Sequence, residues 1–418
     1  NSKVVIAYKD TGNSYYGTAV VGTVSGTSIT FGTPEVFEYA NCAYFSPTFD
    51  SSTGKVVIAY EDSDNSNYGT AVVGEISGTS ITFGTPVTFA ASVQYVKSTY
   101  DSTNQRVVIV FRHSGSSAYG TAVVGEVSGN SINFGALQTF NSAVTAHVGV
   151  TYDSANSKVI VVYHHGGAGG RGEYAVGTVN AGTNAITFGS PVTFDSGNCS
   201  ELSPVYDSTN GRVVIAYVDQ GNNDRGKAIV GEVSGNSITF GNVVIFHQNT
   251  NNIGQLSAAY DSTSGKVVIT YHDKDNSYYG TALPGTVSGN SITFGSSIVF
   301  ESDTTYNTAA TFDSTNGKVV VAYRDNGNSS YGTAVAFSPR TISTNLTAEN
   351  FIGISDASYT NGQTATIQLA GSVDDAQSGL TPGSKYYVQN NGTLSTSADS
   401  PSVFAGTAVA TTKLIVKN

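Results

Sequence analysis

The chain has 418 residues, 47 of them Gly, with no Met or Trp and only 12% charged residues against a usual ~25%. Scarce Lys and Glu leave few stretches able to hold a surface helix, while 39% hydrophobic residues supply a core and exclude wholesale disorder. A net charge of −11 argues against nucleic acid and anionic membranes as partners, no apolar run reaches the ~18–20 residues of a membrane span, and two cysteines cannot build a disulfide framework or a four-ligand zinc site.

One segment recurs seven times along the chain. It reads KVVIAY at Lys3–Tyr8 and Lys55–Tyr60, RVVIVF at Arg106–Phe111, KVIVVY at Lys158–Tyr163, RVVIAY at Arg212–Tyr217, KVVITY at Lys266–Tyr271 and KVVVAY at Lys318–Tyr323. The starts are 51–54 residues apart, a narrow period that marks stacked supersecondary units rather than unrelated domains.

Each period holds four strand-like pieces. In the unit from Ser46, strand a is SPTF, the turn DSSTG follows, and strand b is KVVIAY. The polar loop EDSDNSN then leads to strand c, YGTAVVGEI, and the turn SGTS to strand d, ITFGTPVTF (Ile81–Phe89). Asp, Asn, Gly and Ser occupy the reversals, as turn chemistry requires. In strand b of the first unit, Val4, Ile6 and Tyr8 point one way and Val5 and Ala7 the other. Both faces are apolar, so the strand is covered on both sides, which is the situation of a blade between two neighbouring blades. The expected fold is all-β: a seven-bladed β-propeller of four-stranded blades over residues 1–343.

The first unit lacks strand a, and the seventh lacks a recognisable strand d. Both missing strands belong to one half-unit, so a segment of roughly 20–30 residues before Asn1 is expected to close the ring. The alternative is that Ser338–Leu346 (SPRTISTNL), which echoes SPTFDSST, fills one strand position. From about Thr344 the repeat stops. Alternating runs at Thr364–Leu369, Lys385–Val388 and Lys413–Val416, separated by NG, PG and GT turns, predict a small β module over 344–418.

The blade pattern SPTFDS, GKVVIAY, YGTAVVG, SGxSITFG resembles repeats in tail and virion proteins of marine bacteriophages. The stretch NFIGISDASYTNGQTATIQLAGSVDDAQSGLTPGSKYYVQNNGTLS, followed by GTAVATTKLIVK, resembles a small β module near the ends of phage tail-fibre proteins. The resemblance implies a virion-surface or extracellular adhesion role, with other virion or tail proteins as partners. The unit order is also similar to that of sialidase-like propellers. Their turn Ser-x-Asp-x-Gly-x-Thr-Trp is replaced here by SGNSITF (Ser234–Phe240), without the Asp, the second Gly or the Trp.

The a–b and c–d turns of the seven copies are nearly uniform, whereas the b–c and d–a segments vary. In a propeller these two sets occupy opposite rims, so one rim is bland and the other varied. Loops on a rigid scaffold carry recognition. All six histidines and four of the seven arginines fall in or beside the varied segments. The candidate ligand-binding residues are therefore Arg112, His113, His147, His164, His165, Arg171, Arg225, His247, His272 and Arg324, able to bond sugar hydroxyls, carboxylates or phosphates. Tyr15, Tyr16, Tyr44 and Tyr95 add rings that stack on sugars or pack on protein.

Alternate carboxylates at Asp62 and Asp64, and at Asp273 and Asp275, have the spacing of calcium loops but lack the Gly and distal Glu of an EF-hand, and Asx turns account for them better. No metal or cofactor is expected. The adjacent His164 and His165 lie at a strand end, where their rings point apart. A glycosidase would need two facing carboxylates; Glu35, Glu38, Asp195, Glu201, Glu301 and Asp303 are the acids on the varied rim, and none stands in a catalytic motif. The recurring Asp50, Asp101, Asp153, Asp207, Asp261 and Asp313 precede tight turns and read as Asx-turn formers. Cys42 and Cys199 fall three units apart, too far to pair, and are expected as buried thiols.

The expected function is a non-enzymatic, virion-surface receptor-binding protein whose varied rim contacts a host-cell-surface glycan or protein. The C-terminal module would attach it to the particle or to sister chains, as a possible homo-oligomer. The alternatives are a structural decoration protein of an extracellular particle and a glycan-cleaving sialidase-like enzyme.

Overall fold

The computed structural model describes residues 3–247, 253–339, 351–357, 364–389, 393–398 and 402–417. The chain divides into two units, Asn1–Pro339 and Arg340–Asn418. Among the described residues strands dominate, with three-residue 3-10 turns at Gly166–Ala168, Gln220–Asn222 and Lys274–Asn276 and no α-helix. Among the described residues no helix is long and apolar enough to cross a membrane.

The first unit is a succession of seven antiparallel sheets, one per repeat. In sheet 2, the second half of Glu35–Asp50 (strand a) pairs with Lys55–Asp62 (b), which pairs with Tyr68–Ser77 (c). Sheets 3, 4 and 5 repeat this order from strands a at Val93–Asp101, Thr145–Asp153 and Cys199–Asp207, and sheet 6 from Ile253–Asp261. Two 16-residue strands, Glu35–Asp50 and Ile298–Asp313, run from the outer edge of one sheet to the inner edge of the next, joining sheet 1 to 2 and sheet 6 to 7.

Strand parity dictates the packing. Val57 and Ala59 join the apolar cluster between sheets 2 and 3, whereas Val56, Ile58 and Tyr60 join the cluster between sheets 1 and 2. The same alternation builds clusters between sheets 3 and 4, 4 and 5, 5 and 6, and 6 and 7. Val4 and Val24 of sheet 1 pack on Val320 and Ala336 of sheet 7, and the Asn316 side chain donates to the Val24 carbonyl at 3.1 Å. Strand b is covered on both faces, as its sequence requires, and the a strands of successive sheets stand side by side on the inside.

Strand d differs from the single run Ile81–Phe89 expected from the sequence. It is two short strands, Ser80–Phe83 and Val87–Ala90, both paired with strand c. The break falls at Gly84, where a Cβ would lie 1.8 Å from the Asn130 carbonyl oxygen in the next sheet's c–d turn. That close approach admits only glycine. The same turn receives a cation from strand b of the preceding sheet: Arg106 Nε donates to Asn184 Oδ1 at 2.6 Å, Arg212 Nε to Asn290 Oδ1 at 2.8 Å, and Lys55 Nζ to Asn130 Oδ1. On the bland rim, the Asp50, Asp101, Asp153, Asp207, Asp261 and Asp313 carboxylates each accept backbone N–H bonds from the following turn, the Asx geometry expected of them.

The two end sheets are thinner. Lys3–Asp10 of sheet 1 pairs only with Tyr16–Ser25, and Tyr331–Phe337 of sheet 7 pairs only with Lys318–Asp325, among the described residues. Among the described residues no pairing joins sheets 1 and 7; their contact is face to face. The segment Ser338–Leu346 lies outside the described residues from position 340 onward.

The second unit holds the pair Gly353–Ser355 and Ile367–Leu369, and a five-stranded sheet in the order Val373–Asp374, Lys413–Val416, Val403–Ala410, Lys385–Val388 and Leu394–Ser395. Leu380, Tyr386, Ala405, Ala408 and Leu414 form its core.

Candidate functional site

Each complete strand a carries a bulge near its varied-rim end. In sheet 2, Ala43 pairs with Glu61 and Ser46 with Ala59, so Tyr44 and Phe45 both stand opposite Tyr60. Phe45 packs on the core. Tyr44 adopts a left-handed backbone, and so do its counterparts Tyr95, His147, Glu201, Gln255 and Asn307, with φ between 45° and 55°. Non-glycine residues rarely hold this conformation, and a repeated outlier of this kind marks a position to examine for function. The a–b turn keeps Asp in every copy, but these six positions hold six side chains drawn from rings, amides and a carboxylate.

The six side chains form an arc around the axis of the a strands. Tyr44 and Tyr95 have ring centroids 5.3 Å apart, Tyr95 and His147 5.2 Å, and His147 and His164 5.9 Å. At the same level in sheets 6 and 7, the Gln255 side chain accepts the Asn307 N–H at 3.0 Å. Burial pushes the Glu201 carboxyl up, while the Lys97 and Lys274 ammonium groups pull it back. Lys97 lies one level deeper, where the other copies have Ser46, Gly149, Ser203, Ser257 and Ala309. Its side chain keeps solvent contact yet is walled by protein, and this desolvation holds its pKa below the usual lysine range. Burial, reinforced by His164, lowers His147 to about 4, so its ring is neutral near pH 7.

A second ring surrounds the first. It is the residue after the strand-b aromatic: Lys9, Glu61, Arg112, His164, Val218, His272 and Arg324. Parity turns each toward the next sheet. His164 Nδ1 meets the Cys199 carbonyl at 2.8 Å and His272 Nδ1 the Thr305 carbonyl at 3.2 Å. Arg324 lies 4.9 Å above the Tyr306 ring. Three of these residues bury a polar atom that has no protein partner: Glu61 Oε2, Arg112 Nε and His272 Nε2. Buried polar groups without partners are rare in folded proteins and point to water or ligand atoms.

Of the ten candidates read from the sequence, Arg112, His147, His164, His272 and Arg324 fall on these two rings. The other five stand farther out. His165 Nδ1 meets Glu173 Oε2 at 2.9 Å and Arg171 Nε donates to Glu173 Oε1 at 2.6 Å. Burial works against the Glu173 carboxylate, but its bonds from His165, Tyr163 and Arg171 hold its pKa below the usual range. His113 is lowered by burial, Arg225 has a buried Nε without a protein partner, and His247 closes the outer strand Val244–His247. His164 and His165 face separate partners.

The rim carboxylates are mostly engaged. Tyr60 donates to Glu38 at 2.7 Å, Tyr217 to Asp195 at 2.6 Å and Tyr323 to Glu301 at 2.9 Å, each across an interface between sheets. Lys227 Nζ lies 2.7 Å from Asp219 and 3.1 Å from Asp195. Asp62 accepts the Asn65 N–H at 3.2 Å, and Asp64 accepts the Asn41 N–H at 2.8 Å. Asp273 accepts the Asp275 N–H at 3.1 Å. Cys42 and Cys199 are buried free thiols, both raised to about 12 by burial and nearby carboxylates. Lys97, Gln255 and Asn307 escaped the sequence reading because only the register places them at the mouth. Their signal is an unlike residue at a fixed offset before the invariant a–b Asp.

No protein-family model and no curated protein sequence matches the chain. Solved structures do. A protein from Lactobacillus plantarum matches with a TM-score of 0.54 at 12% identity, covering 81% of this chain and 99% of that one. The BP39L lectin from Burkholderia pseudomallei matches with a TM-score of 0.52 at 10% identity, covering 80% of this chain and 97% of that one. The Cps50 (Swd1) β-propeller domain from Myceliophteria thermophila covers 81% of this chain and 100% of that one, with a TM-score of 0.49 at 10% identity. The fold is of the β-propeller kind. Identities this low speak to fold alone.

Proposed function

We propose that the first unit is a closed seven-bladed propeller that binds a carbohydrate, without cleaving it, at the mouth of its varied rim. One observation carries the reading: the same left-handed bulge in successive a strands puts the stacked rings Tyr44, Tyr95 and neutral His147 at one level with Glu201, Gln255 and Asn307. A sugar ring has the matching two-sided chemistry. Its C–H face stacks on aromatic rings, and its hydroxyls bond carboxylate and amide groups. The seven-blade reading is supported by seven sheets and seven inter-sheet apolar clusters, the last joining sheet 7 to sheet 1. The non-enzymatic reading is supported by Glu38, Asp195 and Glu301, which are held by tyrosine hydroxyls instead of facing one another over a cleft. A lectin among the similar folds is consistent with sugar binding. Placement on a virion surface, with a host glycan as receptor and the second unit as attachment, rests on the resemblance of the repeat and the C-terminal stretch to phage tail proteins.

The test is a glycan array followed by titration of the strongest hit. Asn tolerates left-handed φ, so Tyr95→Asn removes the ring with little backbone cost. Loss of one stacking ring should weaken binding by about two- to tenfold, from roughly 0.5–1.5 kcal/mol per aromatic contact. Unchanged binding in both Tyr95→Asn and Tyr44→Asn would move the site away from the mouth, and turnover of the bound glycan would make the protein an enzyme.

A further inference from the structure

At the outer end of strand d, the chain's own copies place Glu38, Ala90, Asn141, Asp195, His247 and Glu301. Where the residue is Glu38, Asp195 or Glu301, the next sheet's tyrosine hydroxyl takes the carboxylate. His247 departs from this pattern. It is buried, at 8% exposure, and its Nε2 turns toward two carboxylates of sheet 6, lying 3.0 Å from Asp275 Oδ2 and 3.9 Å from Asp273 Oδ1. The three donor atoms lie within 4.8 Å of one another, the one such group of three metal-ligating side chains among the described residues.

Local structure fixes all three. His247 ends strand Val244–His247 of sheet 5, with its ring edge-on to Tyr271 at 5.8 Å. Asp273 ends strand Lys266–Asp273, and its carboxylate accepts the Asp275 N–H, which folds the 3-10 turn Lys274–Asn276 and brings Asp275 back over His247. The other Asp-x-Asp copy does not converge in this way. There Asp64 is taken by the Asn41 N–H, Asp62 by the Asn65 N–H and Glu38 by Tyr60. A histidine replaces the carboxylate only in the copy whose loop supplies two acids within reach.

We infer that His247, Asp273 and Asp275 form a binding site for a divalent transition ion of the zinc type, clipping sheet 5 to sheet 6 at the varied rim. Donor atoms about 2.0–2.2 Å from zinc stand some 3.2–3.6 Å apart in a tetrahedral shell, close to the two His–carboxylate separations. An imidazole nitrogen selects zinc-like ions over calcium or magnesium, which take all-oxygen shells. The Asp275 side chain keeps 17% of its surface in solvent, so water can reach an ion held there and complete its coordination. The site bridges sheets 5 and 6 beside the mouth.

The test uses the whole chain after EDTA treatment and zinc chloride as the probe. Isothermal titration should show one zinc per chain and thermal melting should show a higher Tm with zinc. His247→Ala and Asp275→Asn should each weaken binding by more than ~10-fold, as ligand removal does, while Asp62→Asn and His165→Ala leave it unchanged. Asp275 is part-buried on a turn and Asn keeps its shape, so Asp275→Asn decides the matter if His247→Ala fails to fold, with far-UV circular dichroism as the check. Absence of binding, equal affinity in Asp275→Asn, or calcium binding indifferent to His247→Ala each overturns the assignment.

Discussion

Ala90 and Phe111 face each other at the place where other sheet interfaces join a carboxylate to a tyrosine hydroxyl. Both are buried, and their counterparts are Glu38 with Tyr60, Asp195 with Tyr217 and Glu301 with Tyr323. The hydroxyl is lost in the copy that has lost its acceptor. A buried hydroxyl without a partner costs about 1–3 kcal/mol, whereas removing both partners together costs far less than the two single losses. Phe111→Tyr should therefore destabilise by about 1–3 kcal/mol although it adds only one oxygen. Tyr60→Phe and Glu38→Ala should each destabilise, and the double variant should cost at least ~1 kcal/mol less than their sum. Urea unfolding of the four proteins measures this, and strict additivity would show that the pair is not coupled.

Two glycines separate steric need from conformational need. Gly54 has φ +72° in an a–b turn and open space around it, so Gly54→Ala meets only the left-handed penalty of about 1–2 kcal/mol. Gly84 has ordinary φ, but a methyl there meets the Asn130 carbonyl of the next sheet at 1.8 Å. That neighbour is backbone and cannot swing aside, so Gly84→Ala should cost more, about 2–4 kcal/mol. Comparing midpoints at a common denaturant slope ranks the two. The reverse order would mean that the c–d turn gives way easily.

These pairs mark the boundary of what the sequence discloses. The period, the two apolar faces of strand b and the Asx turns at Asp50 and its counterparts were legible because each depends on residues close in sequence or repeated in phase. The bonds from Arg106 to Asn184 and from Lys55 to Asn130 reach from one repeat into the next sheet, where no local pattern points. The break in strand d is set by a neighbour's turn, so ITFGTPVTF reads as one strand in isolation. The mouth was legible only in part. His147 stood out by chemistry, but Lys97, Gln255 and Asn307 are ordinary polar residues until the bulge register places them at the same level as Tyr44 and His147. The left-handed bulge carries no Gly signature and only one Asn, because five residue types (Tyr, His, Glu, Gln and Asn) share its six positions.

Strands paired on one side should exchange faster than strands paired on both. Among the described residues Lys3–Asp10 pairs on one side only, whereas its counterpart Lys55–Asp62 is paired on both. Val57 is fully buried, while its counterpart Val5 is only half-buried. Hydrogen exchange should therefore be faster across Lys3–Asp10 and Tyr331–Phe337 than across Lys55–Asp62 and Tyr68–Ser77, since local opening tracks lost burial and lost ladder bonds. Equal protection in the two end strands would show that something pairs with their open edges in solution.

His147 gives the fold a pH dependence with a definite sign. Burial, then His164, lowers its pKa from the ordinary 6.5 to about 4. The unfolded chain takes up this proton as pH falls below about 6.5, and the folded chain resists it until about 4. Between those values the unfolded state binds more protons, so stability falls as pH drops through the window and is unaffected by this group above it. At roughly 1.4 kcal/mol per pKa unit, the loss attributable to His147 is at most about 3 kcal/mol. His147→Asn keeps a residue tolerant of φ +45° and removes the titration. The difference in unfolding free energy between wild type and variant should therefore shift against the wild type from pH 7 to pH 4.5, measured by urea titration at constant ionic strength. A difference independent of pH would mean that the ring is protonated freely in the folded protein. In that case the aromatic arc of the mouth would carry a charge on the acid side of neutrality.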